Sequence, residues 1–320
     1  MKRQVSILGA GVIGLSCGVR LAEAGYDVTI YAKDFSPETT SDVSAAIWAP
    51  YAVQPVELAQ QWGLDTYKVF LSLMDQPEET GVSLLPLREY VIGEVNPPGW
   101  ALALESFRLL PKDAYPEGYD GGFEVHVPLA EMGLYMPYLM KRFVEAGGRC
   151  VERTFTRLDD FIQGDAIHVH CAGLGAGALA DDPDVFPIRG QIMRVKGTLP
   201  FGIDDDTSED APLYIFPRPQ TGDIILGGCA QYHDDSLEVD EEMARHIWRG
   251  CLRLCPSLEG FEEAQHVVGL RPGRTAIRFE RDNTYTQPVY HLYGHGGSGM
   301  TLSWGSADAL LRMIVGIADC

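Results

Sequence analysis

A glycine-rich turn near the start of the chain limits its fold more than any other feature. Residues 5–8 form a short apolar run, and Gly9, Gly11 and Gly14 follow it in the pattern G-x-G-x-x-G. An amphipathic helical pattern continues from the third glycine, and a second apolar run occupies residues 28–31. The segment therefore predicts strand, turn, helix and strand, the βαβ unit with which a Rossmann-like sheet begins.

This pattern has a chemical meaning as well as a structural one. Glycines at these positions permit a tight turn and let a pyrophosphate approach the backbone at the positive end of a helix. The motif thus predicts a dinucleotide-binding site containing Gly9, Gly11, Val12, Ile13 and Gly14.

The end of the second strand does not identify the dinucleotide. An acidic residue that binds a ribose is expected there, but Lys33 takes that position and Asp34 follows it. A cation would suit the 2′-phosphate of NADP, and FAD with a different ribose contact is equally compatible.

The rest of the chain predicts a two-part organisation. Two portions rich in proline, glycine and aromatic residues carry short apolar runs typical of antiparallel sheet. The predicted fold class is α/β, with a Rossmann-like nucleotide-binding domain of residues 1–76, 128–187 and 265–320. An antiparallel-sheet, substrate-binding domain of residues 77–127 and 188–264 is interleaved with it.

Composition excludes several functions. The chain has 25 basic and 45 acidic residues, a net charge of −20, which argues against a nucleic-acid partner. It has no run of eighteen apolar residues that would predict a membrane helix, and the glycines interrupting its apolar start argue against a signal peptide.

Seven scattered cysteines without CxxC spacing predict reduced thiols in the cytoplasm and no metal site. The sequence leaves a homodimer open.

Ordered motifs along nearly the whole chain resemble those of the D-amino acid oxidases. The hydroxyl-rich stretch TTSDVSAAIW follows GAGVIGLS, and later motifs are CAGLGAGAL, IRGQIMRV, YIFP with LGG, GLRPGR and YGHGGSGMTLSWG. The resemblance implies FAD as the cofactor, and it implies D-amino acids and O2 as the substrates.

The resemblance also implies which residues contact FAD. Besides those in the first turn, the implied contacts lie at the end of the second strand, at Phe155 and in the segments that carry the motifs. They are Lys33, Asp34, Thr39, Thr40, Ser41, Ala45, Ala46, Trp48, Phe155, Cys171, Ala172, Gly173, Arg271, Gly296, Gly297, Ser298, Gly299, Met300 and Thr301. In the last motif the glycines would let the chain approach the flavin, and the start of the following helix would face its N1–C2=O edge.

Three residues carry the implied catalysis. Arg271 resembles the arginine that pairs with the substrate carboxylate, Tyr214 a tyrosine that also contacts it, and Gly297 a glycine whose carbonyl accepts from the amino group. Hydride would pass from Cα to flavin N5, giving a 2-oxo acid, ammonia and hydrogen peroxide, without a general base. His291 and His295 are therefore predicted to be structural or flavin-adjacent.

Three positions predict neutral, preferably apolar substrates. Asp210 lies where animal relatives have a lid tyrosine, and Ala230 lies where D-aspartate oxidases have an arginine. Ala49 stands where a glutamine is common and would enlarge the pocket. A second substrate carboxylate would be buried without a partner, which makes a D-aspartate oxidase the less favoured alternative.

Other functions remain open from the sequence. A glycine or sarcosine oxidase would share fold and flavin, and an NADP-dependent reductase could use the first glycine turn and Lys33. A nucleotide-binding protein without activity would retain the same fold.

Overall fold

A computed structural model describes residues 2–50, 53–205, 212–261 and 263–316. Strands and helices alternate at both ends of the chain, and strands dominate its middle. The strands are β1 (Gln4–Leu8), β2 (Asp27–Ala32), β3 (Val82–Val91), β4 (Arg108–Leu109), β5 (Gly121–Ala130), β6 (Arg149–Glu152), β7 (Ile167–His170), β8 (Phe186–Lys196), β9 (Gly202–Asp205), β10 (Leu213–Arg218), β11 (Asp223–Gly227), β12 (Gln231–Tyr232), β13 (Glu263–Gly273), β14 (Arg278–Asp282) and β15 (Val289–Tyr293). The helices are α1 (Val12–Glu23), α2 (Val56–Leu73), α3 (Pro77–Thr80), α4 (Gly99–Leu102), α5 (Met132–Glu145), α6 (Leu158–Phe161), α7 (Gly175–Leu179), α8 (Glu241–Leu254) and α9 (Gly299–Val315).

The chain divides into two compact units. The first comprises Met1–Gly81, Met132–Pro187 and Arg271–Cys320, and the second comprises Val82–Glu131 and Ile188–Leu270. Each unit is therefore discontinuous in sequence.

The sequence predicts divisions of the chain after residues 76, 127, 187 and 264, and the two units divide after residues 81, 131, 187 and 270. The assignment of cofactor and substrate to these units remains a prediction.

The first unit contains the sheet that the glycine-rich turn predicts. Its strand order is β14-β15-β7-β1-β2-β6. All neighbouring strands in this order run parallel except β14, which pairs with β15 antiparallel. The carboxyl ends of β1, β2, β7 and β15 consequently share one edge, the edge at which such sheets bind ligands. The predicted α/β class is confirmed.

Glycines bring the helices of this unit close to their neighbours. A Cβ on Gly18 in α1 would lie 2.8 Å from Ile30 Cδ1 in β2. A Cβ on Gly305 in α9 would lie 2.3 Å from the Trp62 backbone in α2, and the Gly305 amide donates to Thr66 Oγ1 at 2.9 Å. The close approach of α9 to α2 therefore requires a residue without a side chain.

The second unit is built on a mainly antiparallel sheet, as its sequence predicts. The strand order is β12-β8-β11-β10-β9-β3-β5-β4, and β13 also pairs with β8. β3 and β9 form a parallel pair in it. Helix α8 is capped at its start by Asp240, whose side chain accepts from the amides of Glu242 and Met243. Ile247 and Leu254 of this helix pack with Ile215 of β10 in one apolar core.

The helices offer no candidate for a membrane span. Over the described residues, none is both long and apolar enough to cross a bilayer.

Candidate functional site

The turn after β1 is held by backbone contacts that exclude side chains. Gly9 has φ +114°, and its amide donates to Tyr31 O at 2.8 Å. A Cβ there would lie 2.3 Å from Cys171 O, and a Cβ on Gly14 would lie 2.0 Å from Gly9 O. The ends of β1 and β7 and the first turn of α1 thus meet at backbone distance.

Helix α1 begins at this turn without an acidic residue. Gly11 is its N-cap and offers no side-chain cap, and no Asp or Glu lies in the first turn. Ser41, a predicted cofactor contact, instead accepts from the Val12 amide through its hydroxyl at 2.9 Å. The hydroxyl hydrogen of Ser41 is therefore directed away from the helix.

The C-terminal glycine motif starts a second helix beside the first. Residues Gly296–Ser298 form a 3-10 turn, with Gly296 at φ +54°, and α9 follows at Gly299. This helix also has no side-chain cap and no acidic residue in its first turn. A Cβ on Gly299 would lie only 3.7 Å from Val12 Cγ1, so the two helix starts are adjacent.

Two adjacent helix starts without carboxylates suit an anion. Amides of the first turns lack partners within their own helix, and the two dipoles place partial positive charge at the same edge of the sheet. The tight packing of Gly9 and Gly14 keeps side chains away from this edge. The residues present therefore fit the pyrophosphate of a dinucleotide such as FAD.

The end of β2 shows why its sequence was ambiguous. Lys33 Nζ and Asp34 Oδ2 form an ion pair 3.2 Å long between neighbouring residues, and Lys33 is 74% exposed. A surface pair of this kind contributes little stability. Both side chains could turn towards a ligand at small cost, so the geometry does not distinguish their roles.

Asp42, which the sequence analysis did not single out, organises the hydroxyl-rich segment. Its carboxylate accepts from the Ser36 hydroxyl at 2.6 Å and from the Thr39 amide and hydroxyl at 3.0 and 2.6 Å. Thr39 therefore uses its hydroxyl hydrogen within the segment, whereas Thr40 is exposed. Aspartates are too common in turns for the sequence alone to identify this role of Asp42.

Residues 45–49 approach the start of α9 through their backbone. Ala46 has φ +51° and is buried. The Trp48 side chain is fully buried and donates to Gly63 O at 2.9 Å, and the Thr301 hydroxyl donates to Ala49 O at 3.1 Å. Trp48 and Thr301 were predicted as cofactor contacts, and in the structure the Trp48 indole N–H and the Thr301 hydroxyl bond within the protein. Met300, a third such prediction, is buried.

The end of β7 carries another predicted group. The Cys171 amide donates to Leu8 O at 2.8 Å, which continues the pairing of β1 and β7. Ala172 follows, and Gly173 has φ +56° with the position of its Cβ 3.9 Å from Pro272, the residue after Arg271. This segment and Arg271 are therefore neighbours within the first unit.

Phe155 packs at the same edge of the sheet, against the apolar cluster that contains Leu8 and that Ala172 also contacts. Its ring is 5.9 Å from the ring of Tyr31 and 5.4 Å from that of Phe161. This packing covers the end of β2, and the role of Phe155 as a cofactor contact remains a prediction.

The buried histidines of this unit are neutral. Burial lowers the pKa of His295 to about 3, and burial together with His291 lowers the pKa of His170 to about 3. His170 Nδ1 lies 3.1 Å from His291 Nδ1, and His291 Nε2 lies 3.1 Å from Asp282 Oδ2. The carboxylate fixes a proton on His291 Nε2, so His170 Nδ1 carries the proton shared between the rings. These histidines form a structural chain.

A second buried network holds the arginines beside the GLRPGR motif. Arg274 Nε and the Tyr293 hydroxyl donate to Asp182 Oδ2 at 3.0 and 2.8 Å, and Arg278 donates to the Tyr293 hydroxyl at 2.7 Å. Burial opposes ionisation of Asp182, but these hydrogen bonds outweigh it and lower its pKa. Arg274 and Arg278 are thus committed within the protein. Neither network was visible in the sequence, because each joins one distant residue, His170 or Asp182, to residues of the segment 274–293.

Tyr214 lies in the second unit, in the middle of its sheet. It is 8% exposed and pairs in register with Gly227. Its ring stacks on Phe216 with centroids 4.8 Å apart. Ala230, which lies between β11 and β12, is also buried. Asp210, on which the lid prediction rested, lies outside the described residues.

The described residues give no support for a metal site. No group of three or more His, Cys, Asp or Glu among them is arranged to hold an ion.

Comparisons with known proteins bear on the family and the fold of this chain. A family profile described as FAD dependent oxidoreductase (DAO) matches residues 4–313. A D-amino-acid oxidase of Rubrobacter xylanophilus is 41% identical, covering 94% of this chain and 93% of its own, and one of Streptomyces coelicolor is 38% identical, covering 97% and 96%. The solved structure of glycine oxidase from Geobacillus kaustophilus superposes with a TM-score of 0.82 at 18% identity, covering 100% of this chain and 96% of its own. At that identity the likeness shows the fold alone.

The paired helix starts predict a charge-specific effect on FAD binding. In Gly299→Asp, a carboxylate would favour the first turn of α9 but repel a pyrophosphate, weakening FAD roughly tenfold or more. Titration of apoprotein into FAD, followed by flavin fluorescence, measures the dissociation constant. Gly299→Asn is the uncharged control of equal size. Equal affinities in the two variants would contradict the anion site.

The buried histidines predict a loss of stability in mild acid. An unfolded histidine binds a proton near pH 6.5 and the folded His170 or His295 only near pH 3, so stability falls as the pH drops below about 6.5. At pH 5 each should contribute about 2 kcal/mol to the fall. Denaturant unfolding between pH 7.5 and 5 measures this. The fall should be smaller in His170→Asn, and the same pH dependence in both proteins would refute the assignment.

Proposed function

We propose that this chain, which belongs to the FAD-dependent oxidoreductase family, oxidises neutral, preferably apolar D-amino acids to 2-oxo acids, ammonia and hydrogen peroxide. The observation that carries the flavin half of the proposal is the meeting of two helix starts without acidic residues at the glycine turn. The substrate half is supported by the relatives at 41% and 38% identity that are named D-amino-acid oxidase.

The first unit would hold FAD through backbone more than through side chains. Amides at the starts of α1 and α9, the Ser41 hydroxyl and the backbone at Ala45 and Ala46 are the proposed contacts. When bound, FAD would accept a hydride from the substrate at N5 and pass the electrons to O2.

The proposed substrate contacts fix the two ends of the amino acid. The guanidinium of Arg271 would pair with the carboxylate through two parallel N–H donors, and the Tyr214 hydroxyl would donate to the same carboxylate. The Gly297 carbonyl would accept from the amino group. With carboxylate and amine both held, one enantiomer directs its Cα–H towards the flavin, which is catalysis by positioning.

No side chain is assigned as a general base. His291 and His295 are both buried, and burial lowers the pKa of each. His291 is further occupied by Asp282 and His170. The substrate would therefore react in its neutral-amine form without proton transfer to a protein residue.

Small neutral residues favour neutral substrates. Ala230 is buried and carries no charge that could compensate a second carboxylate. Ala49 is smaller than the glutamine that is common at this position, and it would enlarge the pocket. An acidic D-amino acid would thus lose hydrogen bonds to water without gaining a partner.

The enantiomer test is the experiment that decides the activity. The purified protein should be yellow, and its flavin absorbance near 450 nm should bleach anaerobically with D-alanine and stay unchanged with L-alanine. Bleaching by glycine or sarcosine without a response to any D-amino acid would instead indicate a glycine-type oxidase. A colourless protein that binds NADP would reject the proposal.

Substrate preference is a second and independent expectation. The kcat/KM for D-methionine or D-valine should exceed that for D-aspartate at least about tenfold, because the second carboxylate would be buried without a partner. Peroxide production with each substrate at equal enzyme concentration measures the ratio. Ala230→Arg should narrow it by supplying a cation, with Ala230→Gln as the uncharged control. Faster turnover of D-aspartate by the unaltered enzyme would overturn this preference.

A further inference from the structure

Two consecutive glycines form the surface on which the Tyr214 ring rests. A Cβ on Gly227 would lie 2.1 Å from Tyr214 Cζ and 2.5 Å from its hydroxyl oxygen. A Cβ on Gly228 would lie 2.8 Å from the same oxygen. The outer end of the ring, which carries the hydroxyl, is therefore in direct contact with bare backbone.

The ring has little freedom to move away from this surface. Phe216 stacks on it at 4.8 Å with an interplanar angle of 13°, and the side chain is 8% exposed. Its backbone is paired on both sides, with Gly227 in β11 and Asp204 in β9. A methyl group at Gly227 would thus displace the hydroxyl end of the ring, since the rest of the residue is fixed.

The φ angle of Gly227 does not require a glycine. Its φ lies outside the left-handed region that other residues avoid, unlike that of Gly222 in the preceding turn, at φ +67°. The contact that excludes a side chain is made by the Tyr214 ring itself.

We infer that Gly227 and Gly228 are positioning residues, which set the location of the Tyr214 hydroxyl and so the binding of the substrate carboxylate. This inference rests on the proposed function of Tyr214. The glycines do not touch the substrate in this account; they act through the tyrosine, and their effect depends on its hydroxyl.

A double-mutant cycle separates positioning from packing. In Gly227→Ala, the KM for D-alanine should rise about tenfold or more with a smaller change in kcat, because carboxylate binding is weakened. In the Y214F background no hydroxyl remains to be misplaced, so adding G227A should change kcat/KM little. Binding of propionate, an alanine analogue without the amine, followed by perturbation of the flavin spectrum, should weaken in parallel in G227A.

Gly202→Ala is the matched control for crowding in the same sheet. Its Cβ would lie 2.9 Å from Leu85 Cδ2 and 3.1 Å from Ile215 O, away from the tyrosine ring. G202A should lower thermal stability and leave the KM for D-alanine unchanged. Gly228→Ala, whose Cβ makes the less severe contact, should show the same KM effect as G227A to a smaller degree, and it serves if G227A fails to fold.

The outcomes distinguish a failure of the positioning role from a failure of the proposed function. If G227A lowers kcat/KM by the same factor with and without Y214F, or leaves both KM and propionate binding unchanged, the positioning role is wrong. If the unaltered enzyme oxidises no D-amino acid, the proposed function fails and the inference falls with it.

Discussion

The contact of Gly9 with the backbone of Cys171 and Gly14 is the constraint on which the candidate cofactor site depends. A side chain at Gly9 or Gly14 would overlap a carbonyl group, at 2.3 and 2.0 Å. Without that overlap, β1 can turn directly into α1 and leave the first amides of the helix at the carboxyl edge of the sheet. Ser41 occupies one amide with a neutral hydroxyl and adds no charge that would oppose an anion.

A second helix strengthens this edge, although its sequence lies almost three hundred residues away. Helix α9 can reach the start of α1 because Gly305 presses against the Trp62 backbone and Gly299 faces Val12. Its buried Trp304 donates to the Tyr135 hydroxyl at 2.8 Å, which fixes its rotation against α5. Two helix dipoles therefore add at one place. Within the last motif, Gly305 is required by close contact with α2, and Gly296 by its positive φ of +54°.

The sequence predicted those parts of the molecule that local patterns determine. The βαβ unit, the antiparallel portion and the turn at Gly296 follow from apolar periodicity and glycine spacing, and the structure contains each of them. Residues whose roles depend on distant partners were missed or only partly understood. Asp42 closes a turn on Ser36 and Thr39, His170 meets His291, and the Trp48 indole is committed to Gly63 O, none of which periodicity can reveal.

The segment that contains Gly227, Gly228 and Ala230 bears on how substrate specificity could evolve in this enzyme. In the proposed function, Gly227 and Gly228 determine where the Tyr214 hydroxyl meets the carboxylate common to all amino acids, and Ala230 adjoins the variable side chain. These residues belong to one short segment, in which the two glycines lie against the ring and Ala230 is buried. In the proposed function, a substitution at Gly227 or Gly228 would change carboxylate binding, whereas one at Ala230 would change the substrate side chain that is accepted. Adjacent positions in one segment would thus carry the two tasks.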